Sequence, residues 1–186
     1  MTIGFLAMVL AVAGFQKMES FDLTAERSVK VECEVRSAKQ DNPFFAVVLE
    51  HGQPNEANGF RLSFNDAYRE RRLRATWGAG KVETEAFALD DEKWHRVVFE
   101  MEVGKKGLLT VDGKPCGEFP AASGFSKGKL HIGVRDGRSD SREDTFNRFR
   151  GSIRNIRVAG KAFPDVVPSE IDPDPAAAQW ARPETT

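Results

Sequence analysis

An all-β, antiparallel fold is predicted by three features of this sequence. Segments with a strict period of two recur along the chain, turn dipeptides separate them at short spacing, and no apolar pattern of period 3.6 runs long enough for an ordinary helix. The stretch Trp94 to Gly113 is the clearest: Val97, Phe99, Met101 and Val103 alternate with Arg96, Val98, Glu100 and Glu102. Gly104-Lys105-Lys106-Gly107 supplies a turn, Leu109 and Val111 resume the inward face, and Asp112-Gly113 favours the tight turn of an antiparallel hairpin.

The other elements follow in order. After a short approach at Phe21 to Thr24, Ser28 to Arg36 alternates Val29, Val31, Cys33 and Val35 against charged residues. Phe44 to Glu50 is nearly continuously apolar, as in a central strand covered on both sides. Phe60, Leu62 and Phe64 mark a further strand, Leu73, Ala75 and Trp77 another from about Arg71, and Val82 to Leu89 a third with Phe87 and Leu89 inward. Cys116 to Phe119 closes the hairpin, and Lys129 to Val134 is a short strand. Phe149 to Val158 is the last, with a bulge expected near Arg154-Asn155 because Ile153 and Ile156 break the alternation. About ten short strands so spaced suit a sandwich.

With 186 residues the chain is sized for one domain. A net charge of −1, from 27 basic and 28 acidic residues, carries no global bias toward nucleic acid or a membrane surface. Ile3 to Phe15 is an uncharged run of thirteen residues, suited to the apolar region of a secretory signal and too short for stable membrane insertion as a helix. Met1-Thr2 lacks the usual basic residue, so a start further upstream and a buried strand are the other readings. The expected organisation is a signal segment over 1–15, a β domain over 16–163 and a proline-rich tail over 164–186, with a secreted or periplasmic product. Two readings stand for Cys33 and Cys116: a disulfide closing a long loop, or two buried thiols.

Four landmarks carry a family resemblance: Trp94-His95-Arg96-Val97, then Leu109-Thr110-Val111-Asp112-Gly113-Lys114, then Leu130-His131-Ile132-Gly133, and Phe149-Arg150-Gly151-Ser152-Ile153 through Val158. In this order they resemble the laminin G-like, concanavalin A-like lectin/glucanase superfamily across about residues 20 to 163. The resemblance implies a jelly roll of two antiparallel sheets whose concave face or rim loops bind glycans. The closing strand also resembles that of a 3-keto-disaccharide hydrolase domain with the same fold, which keeps a glycan-processing hydrolase as the enzymatic alternative.

Candidate sites are few. The glucanase branch carries carboxylates at Glu-x-Asp-x-Glu spacing on one strand, and the nearest match, Glu170 to Asp174, falls in the proline-rich tail where no strand would align it. Glu100 and Glu102 share a strand face with Arg96, either as an acid pair or as partners in cross-strand ion pairs. Laminin G-like domains hold calcium at a rim, and Asp136, Asp140 and Asp144 are the oxygen donors available after Val134, although Arg135, Arg138 and Arg142 interleave with them and oppose a cation. Those arginines, with Arg71, Arg72 and Arg74, form either a guanidinium-rich surface for sulfate or carboxylate groups or a mixed charged surface. Trp77 is placed to stack on a sugar ring if it faces the binding surface, with Tyr68 assisting, and Trp94 is read as core or seam. His51, His95 and His131 have no zinc spacing, and no nucleophile and base pair can be named.

The expected function is a noncatalytic extracellular module recognising carbohydrate, anionic polysaccharide included, or a glycosylated partner. A hydrolase on the same fold and a protein-binding adhesion module are the alternatives.

Overall fold

The computed structural model describes residues 16–37, 45–52, 58–65, 71–85, 88–89, 91–133, 149 and 151–166. These form two antiparallel sheets of six strands each, and no helix occurs among them. Sheet A takes the order β1-β10-β3-β4-β5-β6, built from Gln16–Asp22, Lys127–Ile132, Phe45–His51, Phe60–Asn65, Arg72–Trp77 and Gly80–Glu83. Sheet B takes the order β12-β11-β2-β7-β8-β9, from Lys161–Phe163, Gly151–Val158, Ser28–Ser37, His95–Glu102, Gly107–Val111 and Lys114–Phe119.

The alternation read in the sequence is the alternation that packs. Val29, Val31, Cys33 and Val35 of β2 point into the sandwich beside Val97, Phe99 and Met101 of β7 and Leu109 of β8. From sheet A come Phe60, Leu62 and Phe64 of β4 and Leu73, Ala75 and Trp77 of β5. The apolar run of β3 is central, with β10 on one side and β4 on the other. A bulge between Val47 and Leu49 turns both Val48 and Leu49 inward and leaves Val47 and Glu50 on the far side. The bulge expected in β11 is present as a register shift between Arg154 and Arg157, with Asn155 at φ 54°.

Several expectations are corrected. The strand foreseen from Val82 to Leu89 ends at Glu83: the Thr84 N–H still donates to the Leu73 carbonyl at 2.9 Å, but the Leu73 N–H turns to the Thr84 hydroxyl at 3.0 Å and not to its carbonyl, so the last rung is half main chain and half side chain. Leu89 is still buried, now from a turn, while Phe87 lies outside the described residues. The approach at Phe21 is the end of a full strand, β1, and β10 begins two residues earlier than expected and stops before Gly133. Cys33 and Cys116 are free thiols. Strands β7 and β8 separate β2 from β9, so three strand spacings, about 14 Å, stand where a disulfide needs Cα atoms within about 6.8 Å. Burial pushes the Cys33 thiol up to about 12, which makes it a core side chain and not a reactive one.

The signal segment 1–15 and the tail from 167 on, with Glu170, Asp172, Asp174 and Trp180, lie outside the described residues. So do Tyr68, the arginines Arg135, Arg138 and Arg142, and the aspartates Asp136, Asp140 and Asp144. No helix among the described residues is long and apolar enough to cross a membrane.

Candidate functional site

Trp77 is a correction of consequence. It is 1% exposed and stacks on Phe125 at a ring distance of 5.2 Å, so it is a core residue and offers no face to a sugar. Its inward direction follows from β5, in which Leu73, Ala75 and Trp77 share the core side and Arg72, Arg74 and Thr76 the other. Arg72 donates to the Thr84 carbonyl at 3.1 Å, and Arg74 forms an ion pair with Glu83 of β6. Arg71 precedes the strand at φ 42°. Of the guanidinium-rich surface read from the sequence, Arg72 and Arg74 therefore share the outer face of sheet A with Arg71 at its margin.

Glu100 and Glu102 lie on the outer face of sheet B and are engaged as surface ion pairs, Glu100 with Lys30 at 3.8 Å and Glu102 with Lys105 at 2.8 Å. Cross-strand pairing accounts for Glu100, since Lys30 is directly opposite it in the β2–β7 register, while Glu102 pairs locally with a lysine three residues on in the following turn. Among the described residues no group of three or more His, Cys, Asp or Glu is placed to hold a metal ion.

The same outer face holds an arrangement that the sequence reading missed. Trp94, taken there as core or seam, is partly exposed at the entrance of β7, with the Arg154 guanidinium 4.0 Å and that of Arg36 5.0 Å from its ring centroid. Arg154 is anchored by Glu34 directly opposite, and Arg96 reaches Glu32 at 3.0 Å. The β11 bulge re-aims Arg157, and an open depression forms there, lined by Glu32, Glu34, Arg96, Asn155 and Arg157 over the β2 main chain at Cys33, whose side chain points into the core. Both Arg96 and Arg157 are exposed. The signal available in the sequence was the wet side of three strands, Glu32, Glu34 and Arg36 on β2, Arg96 on β7, and Arg154 and Arg157 on β11. Only the strand order β11-β2-β7 brings them together.

The motif residues beside Trp94 have a structural explanation. His95 is 8% exposed and its two ring nitrogens face carboxylates, Nδ1 at 2.7 Å from Asp112 and Nε2 at 2.8 Å from Asp91. Only the imidazolium donates from both nitrogens. Burial on its own would lower the His95 pKa, but the hydrogen bonds to Asp112 and Asp91 outweigh it and the net shift is upward. Asp112 also accepts the Arg96 N–H at 2.9 Å and occupies, with Gly113, the positive-φ turn between β8 and β9. The Trp-His pair and the Val-Asp-Gly hairpin are thus two halves of one clamp.

Because folding raises this pKa, the clamp's stabilisation is complete below the unfolded value of about 6.5 and is lost as pH rises through the folded value. Above about pH 7, where His51 with its lowered pKa no longer adds stability as pH rises, the melting temperature should therefore fall toward higher pH, and His95→Gln should lower it at pH 7 while flattening that slope, as thermal melts across the range would show.

His51 behaves oppositely. It is fully buried between Phe21 and Phe60, burial pushes its pKa down, and as a neutral ring its Nε2–H donates to the Phe21 carbonyl at 2.6 Å. It is a core histidine that ties β1 to β3.

Two six-stranded antiparallel sheets packed face to face, carrying this clamp at one end and charged outer surfaces, define a concanavalin A-like jelly-roll domain. The chain belongs to the laminin G domain family, whose sequence profile matches residues 35–161. Similar solved structures include domains LG4-5 of the mouse laminin α1 chain, at 18% identity and a TM-score of 0.52, covering 79% of this chain and 40% of that one. The sialidase carbohydrate-binding module CBM40 of Ruminococcus gnavus, in a structure bound to α2,3 sialyllactose, shows 14% identity and a TM-score of 0.53 over 80% of this chain and 88% of that one. The heptameric SAP-like pentraxin of Limulus polyphemus shows 16% identity and a TM-score of 0.51 over 80% and 70%. At these identities the likeness is one of fold, and the chain spans 40% of the length of the laminin fragment. No curated protein sequence matches.

Proposed function

We propose that the protein is a noncatalytic recognition module for extracellular carbohydrate, with anionic polysaccharide as its ligand class and a secreted or periplasmic location. The carrying observation is Trp94 between Arg36 and Arg154, beside the exposed Arg96 and Arg157 of the β11 depression. A guanidinium lying over an indole keeps its N–H edges outward, and those edges suit the paired oxygens of a sulfate or carboxylate. The indole edge and the depression beside it offer an apolar and a polar contact to the sugar between charged groups. Membership of the laminin G family and the likeness to a sialyllactose-bound module support a binding role.

Retention on heparin or alginate columns tests the reading. The wild type should bind and be released by salt, since exposed charge pairs are screened at high ionic strength. Trp94→Ala combined with Arg157→Ala should weaken binding about tenfold or more, the equivalent of about 1.4 kcal/mol. If Arg71→Ala with Arg72→Ala abolishes retention and the Trp94 variant does not, the binding surface belongs to sheet A. Appearance of new reducing ends would replace the reading with the hydrolase alternative, and silence toward all glycans would favour a protein partner.

A further inference from the structure

The outer face of sheet B carries cations of two kinds. Arg96 and Arg154 are engaged by carboxylates, Arg96 by Glu32 at 3.0 Å and Arg154 by Glu34 directly opposite in the β2–β11 register. Lys30 also holds Glu32, at 3.0 Å. Arg36 and Arg157 are exposed and have no carboxylate partner among the described residues. Arg157 faces Glu32 across the ladder without pairing to it, while Glu32 is held by Lys30 and Arg96.

These two free cations stand at the ends of one line. The register sets Ser152 opposite Arg36, Arg154 opposite Glu34 and Arg157 opposite Glu32, so the rungs of Arg36 and Arg157 lie four β2 residues apart. At about 3.3 Å per residue that is about 13 Å along the strand. Midway is Glu34, whose side chain is 27% exposed, with the edge of Trp94 beside it between Arg36 and Arg154. A ligand anion over the middle of the line meets like charge, which is unfavourable. A neutral sugar there can donate hydroxyls to the carboxylate and rest against the indole.

We propose that the polysaccharide lies along the β2–β11 seam with widely spaced acids, one at Arg36 and one at Arg157, and neutral sugar over Glu34 between them. This spacing belongs to a uronic-acid polymer in which acidic and neutral sugars alternate. A densely sulfated chain would set further charges against Glu34. Arg36 and Arg157 are then the two anchors, and Glu34 is the residue that sets the preference. The inference rests on sheet B being the glycan surface, and adds to it the direction of the bound chain and the charge pattern selected. With two anchors on one ligand the second contact becomes intramolecular, so affinity steps up once the chain is long enough to reach both.

Calorimetric titration with hyaluronan oligosaccharides from disaccharide to octasaccharide, and with heparin oligosaccharides of the same lengths, tests it. Hyaluronan affinity should rise at least tenfold between two successive lengths, then level off, and at the longest length exceed that of heparin. Arg36→Ala and Arg157→Ala should each remove the step and weaken octasaccharide binding at least tenfold. Lys105→Ala, which removes an exposed cation from the turn between β7 and β8, should leave both unchanged. Glu34→Gln should narrow the preference for hyaluronan over heparin at least threefold. A gradual rise with length, a step that survives either arginine substitution, an unchanged preference in Glu34→Gln, or heparin bound as tightly as hyaluronan would overturn the proposal while sheet B remained the glycan surface. An equal loss in Lys105→Ala, or no binding of either polymer, would overturn both.

Discussion

Phe99→Ala is expected to lower the free energy of unfolding by about 3–5 kcal/mol, the range for deleting a large buried aromatic side chain. Phe99 has no exposed surface and sits in β7 between Val31 of β2 and Leu109 of β8. Its ring meets Phe60 of β4 edge-on at 6.1 Å and Phe119 of β9 at 4.8 Å. It therefore joins sheet A to sheet B and spans three neighbouring strands of sheet B. The cavity left by alanine would lie where both sheets contribute rings, and neither backbone can move in without losing its own ladder. Val98→Ala, one residue away on the outer face, should cost under about 1 kcal/mol. Urea unfolding of both variants checks the contrast, and equal midpoints would contradict the inward placement of Phe99.

That contrast shows why the fold was legible in the sequence. A strand with one buried side writes its direction into alternate residues, so β2, β4, β5, β7 and β8 could be read with nearly their observed bounds. The bulge in β11 was legible for the same reason, since Ile153 and Ile156 cannot share a face without one. Strands held mainly by edges and turns left weaker marks. β12 is three residues long, and the polar sequence of β1 carries no alternation. The Val82 to Leu89 stretch misled because Leu89 is buried from a turn, and burial is what the pattern reports.

The candidate surfaces were less legible, because they depend on which strands become neighbours. Trp77 closes one alternating run and Trp94 opens another. One faces the core against Phe125, while the other emerges between Arg36, some 58 positions earlier in the chain, and Arg154, 60 positions later. The alternation carries the side each takes, Trp77 in phase with Leu73 and Ala75 and Trp94 in phase with Arg96, but nothing local to Trp94 encodes the two distant arginines that flank it. The outer face of sheet A is similarly hidden, since Arg61, Ser63, Arg74 and Thr76 read as an ordinary wet face, yet Ser63 is buried and the other three are partly so. Their burial is a property of the assembled fold.

The closing-strand glycine supplies the second large effect. Gly151→Ala is expected to cost about 3 kcal/mol or more, at or above the upper part of the range for overpacking a tight site. A Cβ on Gly151 would stand 2.3 Å from the Arg36 carbonyl oxygen and 2.6 Å from the Phe149 ring. The first of these is main chain of the paired strand, and it cannot swing aside without breaking the β11–β2 ladder at Gly151 and Ser37. The second is a buried ring already stacked on Phe64 at 5.3 Å, so it has no free volume to enter. Gly104 separates this steric term from backbone preference: it has φ +76° and nothing within 4 Å of an added Cβ. Gly104→Ala should thus lose only the left-handed penalty, about 1–2 kcal/mol. Chemical denaturation of the two variants should rank Gly151→Ala as the more damaging. The reverse order would mean that β11 and β2 are not held as closely as the Phe-x-Gly-x-Ile pattern requires.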